Sequence, residues 1–180
     1  MRKINDNIYV NQWTRDQAPI RGCNSSFVIT SEGIVVVDTP YLPTDAIKWR
    51  DEIAKRGEVR FVINTEHHPD HTTGNYFLPG IVVSSNVVRA LFGRMLRMPD
   101  IYKRVEEKDP EGLYLLENYQ PRLPTITFSD QMEIYLGDHT FQLIHMAGHT
   151  PGQVAVFVPQ EKVVFTGANF IKGWHPSLNN

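Results

Sequence analysis

The stretch Phe61-Val62-Ile63-Asn64-Thr65-Glu66-His67-His68-Pro69-Asp70-His71-Thr72-Thr73-Gly74-Asn75 decides how this chain is read. It opens on an apolar, β-branched run that makes a buried strand. Glu66, His67, His68, Asp70 and His71 then follow, all of them side chains able to bind a metal. The end of a buried strand is where layered α/β folds place their sites. Residues two apart on extended chain point the same way, so Glu66, His68 and Asp70 share a side. His71 joins them as the chain turns, and His67 is expected to point away. Imidazole and carboxylate together suit zinc, with iron or manganese as alternatives. The competing reading is a polar surface loop whose histidines cluster by chance; the strand immediately before it argues against that. Gly74, Thr72 and Asn75 read as turn or helix-starting residues and are not counted as ligands.

Upstream, Ile8–Val10, Phe27–Ile29 and Ile34–Val37 read as short strands, the last apolar throughout and therefore covered on both faces. A helix is expected from Thr44 as N-cap to a stop at Gly57, with Ala46, Ile47, Ile53 and Ala54 at helical spacing. Strand–helix–strand order points to an α/β layered fold. Downstream of Ile81–Val83, a second helix is expected over about Asn86–Met98, with Val87, Leu91 and Met95 on one face. Residues 99–124, punctuated by prolines, read as short helices and loop. Five strands then close the sequence: Ile126–Phe128, Met132–Leu136, Phe141–Ile144, Val154–Val158 and Val163–Phe165. In the loop between the third and fourth of them, Ala147-Gly148-His149-Thr150-Pro151-Gly152 holds a histidine in a tight Gly/Pro turn, a way to aim a ligand rigidly.

Composition narrows the classes. The chain has 180 residues, 41% of them hydrophobic and 21% charged, with a formal charge of −2. That suits one globular domain spanning 1–180 and excludes disordered, collagenous and coiled-coil chains. No apolar run approaches the ~18 residues of a membrane span. The first residues lack the apolar core of a secretory signal, so a cytoplasmic protein, or one already processed, is expected. The near balance of acid and base offers no bulk attraction for nucleic acid. A single cysteine, Cys23, excludes a disulfide framework and reads as a small buried hydrophobe.

The chain resembles the metallo-β-lactamase superfamily of metal-dependent hydrolases in four stretches taken in order. They are Ile34–Thr39, a strand ending in Asp; Asn64–Asn75, a loop of the form His-x-His-x-Asp-His; Gly148–Gly152; and Val164–Gly167. The resemblance implies an αββα sandwich with two metals at one rim. One ion would be held by Glu66, His68 and His149 and the other by Asp70 and His71, with a water or hydroxide between. Bound cations lower a water's pKa from 15.7 towards ~7. Asp70 is the candidate catalytic residue, taking up or passing on the proton. Asp38 is a candidate for orienting a ligand, or else a turn-forming Asp.

Three departures from the family pattern stand out. Glu66 replaces the leading histidine of the loop, a change to a harder donor. Ala168 falls where the family has a bridging aspartate, and a methyl group cannot ligate. The family's last ligand histidine and final helix layer have no counterpart, which implies a fragment, or a chain completed by a second copy or another segment, with one sheet face left uncovered. Asn169 lies on the wrong parity to replace the bridge, and His175 follows the strand too closely to be the last histidine. His139 reads as a turn residue, His145 as a hydrogen-bonded structural histidine, and Trp13 as the tryptophan best placed to line a cleft. Arg94, Arg97, Lys103 and Arg104 read as a solvated helix face. The function expected is hydrolysis of an ester, lactone, thioester or amide bond in a small-molecule substrate, impaired by the loss at 168. The alternatives are a non-catalytic metal-binding or regulatory module and a flavodiiron-like di-iron redox domain.

Overall fold

The computed structural model describes residues 1–13, 17, 22–95 and 97–171. Trp174 and His175 lie outside them. Strands β1 (Arg2–Lys3), β2 (Ile8–Asn11), β3 (Ser25–Thr30) and β4 (Gly33–Val37) form an antiparallel meander. Helix α1 (Pro43–Ala54) returns the chain to β5 (Val59–Ile63), parallel to β4. A short helix α2 (Pro69–Thr72) and a 3-10 turn (Thr73–Phe77) lead to β6 (Ile81–Ser85). Helices α3 (Asn86–Met95) and α4 (Met98–Lys108) and a 3-10 segment (Pro110–Leu116) precede β7 (Ile126–Phe128). These strands make a seven-stranded sheet in the order β1-β2-β3-β4-β5-β6-β7, parallel from β4 onward. The remaining strands, β8 (Gln131–Leu136), β9 (His139–His145), β10 (Val154–Val158) and β11 (Val163–Phe165), form an antiparallel sheet in the order β11-β10-β9-β8. No helix among the described residues is long and apolar enough to cross a membrane.

The apolar alternation of the strands explains the layering. One face of the first sheet (Ile8, Val28, Val35, Val37, Ile63, Val83) packs against Ile134, Phe141, Leu143, Val154 and Val156 of the second. Its other face (Phe27, Ile34, Val36, Val62, Val82) is covered by Trp49 and Ile53 of α1. Burying each such side chain contributes roughly 1.5–3 kcal/mol. A third cluster, with Ala46, Ile101, Val105 and Leu116, seats α4 and the 3-10 segment on α1.

The helix boundaries differ from expectation for local reasons. Helix α1 starts two residues early, with Leu42 as its N-cap and Pro43, a residue suited to the first helical position, following it. Thr44 does not cap it. Instead the Thr44 backbone N–H and hydroxyl both donate to the buried Asp109 carboxylate, a cap supplied from after α4. The expected second helix ends at Met95, and Pro99 sits in the first turn of the separate α4.

Candidate metal centre

The centre lies at the carboxyl ends of the parallel strands β4 and β5. Asp38 follows β4 directly, in a left-handed conformation with φ 57° that Asp tolerates better than most residues. Its Oδ1 accepts from the Thr65 backbone N–H at 2.8 Å and its Oδ2 from the Thr65 hydroxyl at 2.6 Å. Oδ2 also lies 3.0 Å from Nδ1 of His71. That bond selects the tautomer with the proton on Nδ1 and leaves Nε2 as a donor of electrons. Asp38 is therefore placed to orient His71 and the loop after β5 together.

A buried amide pair shapes the loop itself. Asn64 and Asn75 exchange hydrogen bonds of 3.0 and 2.8 Å, and Asn64 also donates to the His71 carbonyl at 3.1 Å. Thr39 reaches the same carbonyl through both its backbone N–H and its hydroxyl, each at 3.1 Å. Asn75, read from sequence as a helix-starting residue, is in fact part of the lock that fixes the metal loop. Only its side-chain type hinted at this.

Glu66 is at the middle of the cluster and fully buried. Nδ1 of His68 lies against its Oε2, Nε2 of His71 is 3.2 Å from Oε1, and Nε2 of His149 is 3.8 Å from Oε2. These are ion-pair contacts, and neither carboxylate oxygen has a hydrogen-bond partner. Burial pushes the Glu66 carboxyl up, but His71, His68 and His149 outweigh it and hold it at about 2. An ionised carboxylate buried without hydrogen bonds costs several kcal/mol. A cation shared with the surrounding imidazoles removes that cost, so the residues present fit a metal ion. Glu66, His68 and His149 each offer a ligand atom within 4.8 Å of the others. Asp70 sits at the rim with its side chain 38% exposed, and its Oδ2 is 3.8 Å from Nε2 of His71.

His149 is delivered from the second sheet. The Val154 N–H donates to the Thr65 carbonyl at 2.7 Å, tying β10 to the loop after β5. The His149 turn is then braced by Asn169: Oδ1 accepts from the His149 backbone N–H at 2.7 Å and Nδ2 donates to the Met146 carbonyl at 2.8 Å. A Cβ on Gly148 would fall 2.2 Å from that Oδ1, so only glycine permits the approach. Asn169 thus holds a candidate ligand in place by its backbone, a role that strand parity did not reveal. Ala168 lies beside it in the 3-10 turn Gly167–Asn169 and offers no donor.

Other residues resolve as follows. His67, expected to point away, is buried and stacks on His68 with ring centroids 4.6 Å apart; burial and the neighbouring His68 push it down to about 4. Its two ring nitrogens have no hydrogen-bond partner. Cys23 is more than a packing residue: its thiol donates to the Asp70 carbonyl at 3.0 Å, and burial pushes it up to about 12. His145 is a structural histidine, its Nε2 2.7 Å from the Pro151 carbonyl. His139 is not a plain turn residue but a buried one, ion-paired to Asp138 at 2.8 Å and Glu161 at 2.7 Å. Trp13 lines a shallow depression with Met1, Arg2 and Gln12, while Trp49 is core. The Arg104 guanidinium stacks over the Tyr41 ring at 5.8 Å instead of being wholly solvated.

A two-sheet sandwich with imidazoles and carboxylates gathered at the strand ends defines a metal-binding domain of layered α/β type. Residues 18–168 match the family model of the metallo-beta-lactamase superfamily, and the chain belongs to that superfamily. It is 23% identical over its whole length to a metallo-beta-lactamase type 2 from Elizabethkingia meningoseptica, covering 72% of that protein. It is 28% identical, over 84% of its length, to a hydroxyacylglutathione hydrolase from Maricaulis maris, of which it spans 49%. Among solved structures it superposes on a metallo-beta-lactamase family protein from Thermus thermophilus with a TM-score of 0.66 at 15% identity, over 98% of this chain and 64% of that one. A metallo-beta-lactamase from Pontibacter korlensis gives 0.61 at 19% identity, over 92% and 69%. At these identities the structural likeness establishes the fold, an α/β metallo-β-lactamase sandwich.

Proposed function

We propose that this chain is a metal-dependent hydrolase of small molecules, acting on an ester, lactone, thioester or amide bond, with zinc as its ion. The observation that carries the reading is the Glu66 carboxylate, buried, ionised and without a hydrogen bond among three imidazoles. Glu66, His68 and His149 are assigned to one ion, and Asp70 with His71 to a second. Ions bound there supply an activated water and polarise the carbonyl oxygen under attack. Asp38 sets the His71 tautomer, and Asn169 fixes the His149 turn. Asp70, part-exposed at the rim, takes the proton released and hands it to solvent. The relatives named as hydrolases support the reaction class. Ala168 favours slow turnover, because two cations without a bridging anion repel each other with less compensation. The same residue favours a second reading, a metal-binding module without catalysis.

The test pairs metal analysis with a panel of an aryl ester, a thioester, a lactone and a β-lactam. The expected result is weak hydrolysis of at least one of them, abolished by a chelator, restored by zinc and lost in E66Q. Zinc binding without turnover of any panel member selects the module instead, and two irons with oxygen reduction would select the redox alternative. Unchanged metal affinity in E66Q overturns the site assignment itself.

A further inference from the structure

His67 stands in the metal loop without serving as one of its donors. It is buried, 6% exposed, and both of its ring nitrogens lack a hydrogen-bond partner. It is also outside the set of Glu66, His68 and His149, whose ligand atoms lie within 4.8 Å of one another. A buried imidazole cut off from water with nothing in exchange is less stable than an apolar ring of the same shape. Hydrogen bonding is therefore not what the fold draws from this side chain. Its ring makes a stacking contact instead. The His67 and His68 centroids are 4.6 Å apart with 34° between the planes, and His68 lies 5.1 Å and 51° from His149. These separations fall in the roughly 4.5–7 Å range of favourable aromatic pairs. Three imidazoles thus stand in a row from the loop after β5 to the turn before β10, with the buried His67 at one end.

Such support bears most on His68. The ring of His71 is set by Asp38, and the turn of His149 by Asn169. The His68 backbone is fixed as well, its carbonyl accepting from the His71 N–H and the Thr72 hydroxyl, each at 3.0 Å. Its side chain, 29% exposed, is held through its ring, by Glu66, His67 and His149. An ion shared by Glu66 and His68 displaces their direct contact and leaves the His67 ring to fix the plane of its neighbour. We infer that His67 is a positioning residue: the face of its ring, and not its nitrogens, fixes the plane of the His68 imidazole in the metal centre. The inference rests on the proposed function in taking His68 as a ligand and goes beyond it by giving His67 a part. A ligand side chain already locked in its binding rotamer loses less freedom when the ion arrives, so the stack raises affinity by preorganisation.

Three substitutions separate stacking from hydrogen bonding and from plain space filling. H67F keeps a ring without nitrogens, H67L keeps apolar bulk without a ring, and H67Q keeps polar groups without a ring. Zinc affinity is read by competition with a chelating dye, beside the melting temperature of the metal-free protein. H67F is expected to bind zinc as tightly as the wild type and to melt higher, since it removes two buried nitrogens that lack partners. H67L and H67Q are expected to bind zinc at least ~tenfold more weakly, the scale of losing a group that orients a ligand. The visible spectrum of the Co(II)-loaded protein, which reports geometry at the ion, should match the wild type in H67F and differ in H67L. Wild-type affinity in H67L or in H67Q overturns the inference, and so does H67F binding as weakly as H67L, which would assign the effect to the nitrogens. Each of these results leaves the hydrolase reading standing, whereas no zinc uptake by the wild type overturns both. Should H67L and H67Q fail to fold, the wild type with ring-labelled histidines decides by nuclear magnetic resonance. Close ring-proton contacts between His67 and His68 are expected with and without zinc, and their loss in the zinc-bound protein overturns the inference.

Discussion

Glu66 shows how one side chain can carry the chemistry of a site. A carboxylate that is fully buried, held ionised and yet without hydrogen bonds is tolerable only beside compensating charge. Its neutral isostere should therefore bind metal far more weakly; E66Q is expected to lose at least ~100-fold in zinc affinity by competition with a chelating dye, since even outer partners of ligands cost ~10–100-fold. Asn169 acts one step further out, on backbone rather than on metal. N169A leaves the His149 N–H and the Met146 carbonyl without their partner, and should weaken zinc affinity by roughly tenfold or more with the set of ligand atoms unchanged. At Ala168 the missing carboxylate is open to repair. A168D should raise bound metal per chain and the rate of ester hydrolysis together, and a rise in neither would show that the bridging position lies elsewhere.

Between elements, the His139 cluster acts as a clamp far from the metal in sequence. His139 at the start of β9 pairs with Asp138 and with Glu161 in the β10–β11 turn, and Glu161 in turn accepts from Asn5 and Asn7 before β2. Asp138 also accepts from the Ser31 N–H in the β3–β4 turn. Four turns are thereby stapled through one imidazole. Burial lowers the His139 basicity, but Glu161 and Asp138 outweigh it and raise the group above 6.5. A raised folded-state value means that the stabilisation is fully present below the unfolded value and is lost as pH climbs through the folded one. The wild-type melting temperature should fall as pH rises from about 6 to about 8, whereas H139Q should melt lower at about pH 6 and show a flatter profile over the same range. Identical slopes in the two proteins would show that the clamp does not titrate as described.

For the molecule as a whole, the asymmetry of the sandwich matters most. The first sheet is covered on both faces, by α1 on one side and the second sheet on the other. Among the described residues, the outer face of the second sheet carries Tyr135 at 70%, Phe157 at 36% and Val164 at 53% exposure, with Ile144 beside them. Paired Phe157 and Val164 sit opposite each other on β10 and β11, so the apolar surface is continuous across two strands. Contiguous apolar surface of this kind drives association. The isolated chain is expected to self-associate in sedimentation experiments, and the double substitution F157S/V164T on that outer face should shift it towards monomer without lowering zinc affinity.

Much of this was legible in the linear chain. The buried strand Phe61–Ile63, the donor-rich loop after it and the Gly/Pro turn around His149 are local patterns, because spacing along a strand or turn fixes direction within a few residues. The layered fold followed from the same alternation. What spacing could not reach were meetings between distant segments: Cys23 with His71, Asp38 with Thr65, Asn169 with the His149 turn, and Glu161 with His139 and Asn5. Those contacts depend on the register between strands and on how the two sheets stack, which many small packing interactions across the core set jointly. Thus the kinds of donor and the loop that presents most of them were written in the sequence by itself, while the tertiary structure alone decided which remote side chains brace those donors, because only cooperative packing brings remote parts of the chain to one point.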